Sequence, residues 1–256
     1  MQDKSKSHKI KIGLILFILG FIGVLSLLSS EFPMDQVLKE VLEKYSEQTL
    51  VLLSLINPTI LLAISVLIGT VLYEKVELAV PLISSILKRE NWKDILFVQL
   101  KFGLTGGVIA GLGILAISMI FTANLPKEFL ELGEKLKPSL FTRLFYGGFT
   151  EEILLRFGLM TFVVWVVFKI HKKLSPSVYW IGIVLATLFF AVGHFPVVFQ
   201  AVGTPSLGLL VYVLLGNSLG GFVFGWLYWK KGLESAFVAH LFTHVVMLTI
   251  QPLVGS

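Results

Sequence analysis

The chain has 256 residues, of which 55% are hydrophobic and 14% charged, and its mean hydropathy of +0.87 lies well outside the soluble globular range. With zero cysteines it has no disulfide framework, no thiol nucleophile, no thiolate metal site and no lipidation through sulfur. A net charge of +5 does not mark a nucleic-acid surface, because the lysines and arginines flank hydrophobic runs instead of forming one basic face.

The chain opens with MQDKSKSHKIK and an apolar run over 12–28. That charge order resembles a signal peptide, but the run is too long and lacks a small-residue cleavage site, so it is expected to be a retained first span. Next, FPMDQVLKEVLEKYSEQ sets Val37, Leu38, Val41 and Leu42 among charges, the pattern of an amphipathic helix lying on the bilayer. A second span follows at 50–73, and VELAVPLISSILKREN is expected to form another short surface helix. Further apolar stretches at 95–121, 145–170, 177–199, 206–229 and 233–253 bring the total to seven, each long enough to cross a hydrocarbon core of about 30 Å. Seven spans of about 20 residues use roughly 140 residues and leave short loops. The predicted fold is therefore one all-α membrane domain over 1–256, a polytopic transmembrane helix bundle. Gly107/Gly111, Gly216/Gly220 and Gly221/Gly225 repeat a G-x-x-x-G spacing, read as close packing inside the bundle ahead of a dimer surface.

Basic residues orient the bundle. With the N-terminus inside, 14 of the 21 lysines and arginines fall on inner segments (among them Lys88, Arg89, Lys172, Lys173, Lys230 and Lys231), 6 on outer segments (Lys39, Lys44, Lys127, Lys135, Lys137 and Arg143), and Arg156 within a span. This predicts N-in and C-out. Trp92, Tyr179, Trp180, Tyr228 and Trp229 stand beside the inner loops and are expected to anchor at the headgroup boundary.

Charged groups inside a bilayer cost several kcal/mol, about 3 or more at the centre, and mark function. The fourth span carries Glu151, Glu152 and Arg156, the fifth His194, the sixth Asn217 and the seventh His240 and His244. Glu152 and Arg156, four apart, share a helix face and are expected to neutralise each other, a supporting role. Glu151 is turned about 100° away and left unpaired, which suits a general base beside an imidazole. His240 and His244 put two rings on one side of a helix, about 6 Å apart, able to bind a metal, donate into a cavity or bridge helices. Asn217 is read as an interhelical hydrogen-bond partner, and His8 and His171 are assigned no chemistry. H-E-x-x-H and the P-loop are absent.

The order E-E-x-x-x-R at Glu151, Glu152 and Arg156, then F-x-x-x-H at Phe190 and His194, then His240 in a later span, resembles the CAAX protease and bacteriocin-processing family, also called CPBP or ABI. The resemblance covers about 140–248. In those intramembrane glutamic proteases the first glutamate and the F-x-x-x-H histidine activate water, and H-x-x-x-N stabilises the oxyanion. The resemblance therefore implies an endopeptidase in which Glu151 and His194 activate water and His240 and His244 receive the developing charge, with no metal or cofactor. It also implies a membrane-associated peptide or prenylated, CAAX-type protein as substrate and partner. His244 stands where that pattern has asparagine; its ring can supply one N–H as an amide does. It also opens an alternative in which Glu151, His194, His240 and His244 bind zinc. Non-catalytic alternatives are a bacteriocin-immunity protein and a small transporter. The chain is expected to be an integral multi-pass protein, of the plasma membrane if prokaryotic.

The lysine bias places Glu151 and His194 nearer the outer face, whereas family members that process prenylated proteins work from the cytosolic side. A reporter enzyme fused to the C-terminus should be active only when exported; activity confined to the cytosol would reverse the orientation.

Overall fold

The computed structural model describes residues 2–30 and 45–254. The surface helix expected around Val37 to Leu42 lies outside the described residues. Among the described residues ten helices follow one another, besides short 3₁₀ turns at Leu27–Ser29 and Tyr73–Val76. They are α1 (Gln2–Ser26), α2 (Glu47–Leu72), α3 (Pro81–Lys88), α4 (Trp92–Asn124), α5 (Pro126–Lys135), α6 (Thr142–His171), α7 (Pro176–Val192), α8 (Phe195–Val202), α9 (Leu207–Lys230) and α10 (Leu233–Val254). Seven segments are long and apolar enough to cross a membrane: Lys6–Ser29, Thr49–Val76, Trp92–Asn124, Thr142–His171, Pro176–Val202, Leu207–Lys230 and Leu233–Leu253. The chain is an integral, all-α polytopic bundle.

Local signals set the ends. The Ser46 and Ser206 hydroxyls accept from Thr49 N and Leu209 N at the starts of α2 and α9, and the Asn91 side chain accepts from Lys93 N at the start of α4. Pro81, Pro126 and Pro176 open α3, α5 and α7, where a missing N–H costs nothing. Arg89 and Lys172 close α3 and α6 in the left-handed region. The α9–α10 turn is Gly232 at φ 116°, a backbone conformation that favours glycine.

The bundle is apolar outward and keeps its polar groups inside, within a mostly apolar core. Leu52, Leu67, Phe97 and Ile120 are exposed, while Thr150, Glu152, Arg156, Thr161, Thr187, His240 and Thr243 are buried. α4 packs along α10, α9 fits between α7 and α4, and α6 is held by α1 and α2. Two of the G-x-x-x-G pairs serve these contacts. A Cβ at Gly107 would stand 2.7 Å from Phe242 Cβ and one at Gly111 2.7 Å from Val246 Cγ1 on α10, while Gly221 and Gly225 face Thr187 and Ile183 on α7.

Three features differ from the sequence expectation. The fifth span breaks at Gly193–His194 instead of running straight, because Pro196 removes the N–H that would continue the helix. The loop before α6 contains α5, a short helix with polar and apolar faces. Of the expected aromatic anchors, Trp92 and Trp180 are exposed, but Tyr179 and Tyr228 are buried: the Tyr179 hydroxyl donates to Val76 O, and the Tyr228 hydroxyl pairs with that of Thr161. Those two hold helices together instead of meeting headgroups. The helix expected within 76–91 is present as α3.

Because Gly107 sits where α4 meets α10, Gly107→Leu should lower the detergent-extracted melting temperature, with a cost of about 1–3 kcal/mol from over-packing. Gly133→Leu, at a position with nothing within 4 Å, should not.

Candidate active site

The ionisable residues of three spans, the fourth, fifth and seventh, meet inside the bundle. α6 supplies most of them, and its first part is unusually wound: Thr142–Glu151 and Ile153–Met160 form π-helix with i→i+5 bonding, a geometry found often at functional sites. The Thr150 hydroxyl donates to Gly20 O at 2.7 Å and ties this stretch to α1 one residue before the two glutamates.

Glu152 and Arg156 are 0% and 1% exposed, and Arg156 Nη1 lies 3.2 Å from Glu152 Oε1, the pairing expected from their spacing. Arg156 is held further by an Nη2 bond to Gly221 O on α9 at 3.3 Å. Its guanidinium carbon lies 4.9 Å from the Phe190 ring centroid and 5.5 Å from that of Phe224. The sequence reading missed a third partner: His240 Nδ1 donates to the same Glu152 Oε1 at 2.8 Å. A carboxylate facing Arg156 only accepts, so the Nδ1 proton of His240 is committed to it.

The other ring nitrogen, His240 Nε2, lies 3.8 Å from Glu151 Oε2, whose side chain is 19% exposed. The His240 ring stacks between Phe224, centroids 4.7 Å apart, and His244, 5.1 Å apart. Gly147 makes room for the pair: a Cβ there would stand 2.9 Å from His244 Nε2 and 3.5 Å from His240 Nε2. His244 Nδ1 is buried with no hydrogen-bond partner among the described residues.

His194 sits at the break in the fifth span. Its backbone N–H turns to Ala191 O, and its Nδ1 donates to Phe190 O at 2.8 Å, which fixes the ring. Asn217 Nδ2 bonds Val213 O on its own helix at 2.8 Å, so the interhelical bond expected of it is not the one formed; its side chain lines the cavity instead.

Two adjoining cavities, of about 400 and 370 Å³, share His194, Asn217, His240 and His244 in their walls. Glu151 and Tyr146 border the first. The second extends between α4, α5 and α9 past Ile114, Phe129 and Val213, so the third span and α5 contribute as well as spans four to seven. Arg143, which the charge count treated as an outer loop residue, borders both. The four residues singled out as catalytic thus meet at one cavity. Among the described residues no group of three or more His, Asp or Glu side chains is arranged to hold a metal ion.

With that arrangement established, comparison with known proteins gives one match: residues 134–246 fit the family model described as "Type II CAAX prenyl endopeptidase Rce1-like". Over that segment the chain is similar to the CAAX endopeptidase family. The matched segment runs from the end of α5 into α10 and contains Glu151, Glu152, Arg156, His194, Asn217, His240 and His244. The family is one of proteases, and the chain is a membrane hydrolase of that class. No curated protein and no solved structure matches.

The buried pair predicts a stability pattern. Arg156→Leu leaves the Glu152 carboxylate buried without its cation and should cost about 3–5 kcal/mol. Thermal unfolding in detergent should show Glu152→Leu/Arg156→Leu recovering part of that loss; a double variant less stable than Arg156→Leu would contradict the pairing.

Proposed function

We propose that the chain is an intramembrane endopeptidase that hydrolyses a peptide bond of a membrane-associated substrate, with water as nucleophile and Glu151 as its base. The observation that carries this reading is the convergence of Glu151, His194, His240 and His244 on one cavity within the bundle. Glu151 suits the base: Glu152 is sequestered by Arg156 and His240, while Glu151 keeps an oxygen toward the cavity. The geometry also supports His244 as a donor to the oxyanion. Its Nδ1 is buried without an acceptor, and a buried N–H left unbonded costs about 1–3 kcal/mol, so the neutral ring places its proton on Nε2. That nitrogen lies beside Gly147 at the cavity wall, where a tetrahedral intermediate would form.

The substrate is proposed to be a prenylated, CAAX-type protein or a short membrane-associated peptide precursor. The second cavity adjoins the catalytic one, and its wall of Ile114, Phe129, Leu132, Val198 and Val213 supports a substrate with an apolar chain close to the scissile bond. No metal takes part in this mechanism, since a carboxylate and imidazoles supply the proton transfers.

Glu151→Gln keeps the volume and removes the base. Turnover of a membrane peptide by the purified variant should fall by about 10²–10⁴-fold while the melting temperature stays near that of the parent. Activity of the parent should survive chelation and dialysis. Full activity in Glu151→Gln would remove the mechanism, and activity lost to chelator and restored by zinc would replace it with a metal-assisted one.

A further inference from the structure

We infer that the attacking water is held between Glu151 and His240, and that Glu152 brings this about by fixing which nitrogen of the His240 ring carries the proton. The inference rests on the peptidase reading and departs from the roles that the family resemblance implies, in which His194 joins Glu151 on the water and His240 donates to the oxyanion.

Three distances carry it. Glu152 Oε1 lies 3.2 Å from Arg156 Nη1 and accepts from His240 Nδ1 at 2.8 Å. A neutral imidazole has one N–H, so with Nδ1 protonated its Nε2 is a lone pair. A neutral His240 therefore has no proton to offer an oxyanion. Its Nε2 faces Glu151 Oε2 across 3.8 Å, two acceptors too far apart for a direct hydrogen bond and with no proton between them. One water satisfies both by donating an O–H to each, which leaves its oxygen lone pairs free to face the cavity.

His194 also presents a bare Nε2, because its Nδ1 donates to Phe190 O. Yet among the described residues the only imidazole within ion-pair distance of Glu151 is that of His240.

The step balances without a further reactant. As one O–H bond of the water breaks, its proton passes to Glu151 and its oxygen forms a bond to the scissile carbonyl carbon, whose π pair moves onto the carbonyl oxygen. On collapse the C–N bond breaks, the amine takes the proton from Glu151, and a carboxylic acid and an amine leave. His240 Nε2 holds the second O–H and aims the water. Glu152 touches neither substrate nor water and is a positioning residue.

The test uses the full chain in lipid nanodiscs, labelled with ¹⁵N-histidine. His240 is assigned among the five histidines by the resonances missing from His240→Gln. The expected spectrum shows His240 protonated at Nδ1 and bare at Nε2. In Glu152→Gln, an amide N–H can face Nδ1, so protonated Nε2 should appear, with kcat falling by about 10²–10⁴-fold and KM little changed. Should Arg156 left without its anion prevent folding, Glu152→Gln/Arg156→Leu removes that charge and should give the same spectral change.

A wild-type His240 carrying its proton on Nε2 overturns the inference, and so does a tautomer and a kcat that stay at wild-type values in both variants. If the chain cleaves no peptide yet shows Nδ1-protonated His240, the peptidase reading fails while the tautomer assignment stands. If it cleaves with Nε2 protonated, the tautomer assignment and the placement of the water both fail while the peptidase reading stands.

Discussion

A carboxylate and a guanidinium, Glu152 and Arg156, lie buried in the middle of an apolar bundle, and the site depends on their being satisfied there. Desolvating two charges costs several kcal/mol per ion, which their attraction offsets only with good geometry and further hydrogen bonds. Those extra partners come from the surrounding spans. α9 gives the Gly221 carbonyl and the Phe224 face, α7 gives the Phe190 face, and α10 gives the His240 N–H. The pair is thus a weak source of net stability that draws four helices together, and Glu152 Oε2 and Arg156 Nη1 stay buried without hydrogen-bond partners among the described residues. Proper placement of His240 follows from satisfying Glu152.

The lipid environment explains why the rest of the bundle is built around that demand. Helices surrounded by hydrocarbon gain little from burying leucines against each other, so their association rests on close packing and internal polar contacts. The glycines at the α4–α10 and α7–α9 contacts serve the first need, and the Thr150–Gly20, Thr161–Tyr228 and Gln99–Ser235 bonds the second. At the site both meet. Gly147 lets the two histidines of α10 come against α6, and the break at His194 opens the wall where a straight helix would have closed it.

Much of this was legible in the sequence, because its signals are local or periodic. Seven apolar runs give seven spans, and i, i+4 spacing gives the Glu152–Arg156 pair. The three motifs and their order gave the family that the match over 134–246 supports. What could not be read comes from contacts between distant segments. No spacing in the chain says that His240 bonds Glu152, 88 residues away, or that Asn217 turns back onto its own helix. The burial of Tyr228 was missed for a related reason: an aromatic residue beside a lysine pair looks like a headgroup anchor until its neighbour Thr161 is placed. The far wall of the second cavity is invisible in sequence because Ile114, Phe129 and Val213 are indistinguishable there from lipid-facing residues.

The account's central claim is that this cavity cuts peptides. It is tested most directly by comparing, by mass spectrometry, the peptides of membranes carrying the parent chain with those of membranes carrying Glu151→Ala at equal abundance. The account predicts a defined set of new C-termini and released fragments, from proteins anchored at the membrane, present with the parent and absent with the variant. Identical peptide sets in the two membranes would contradict it.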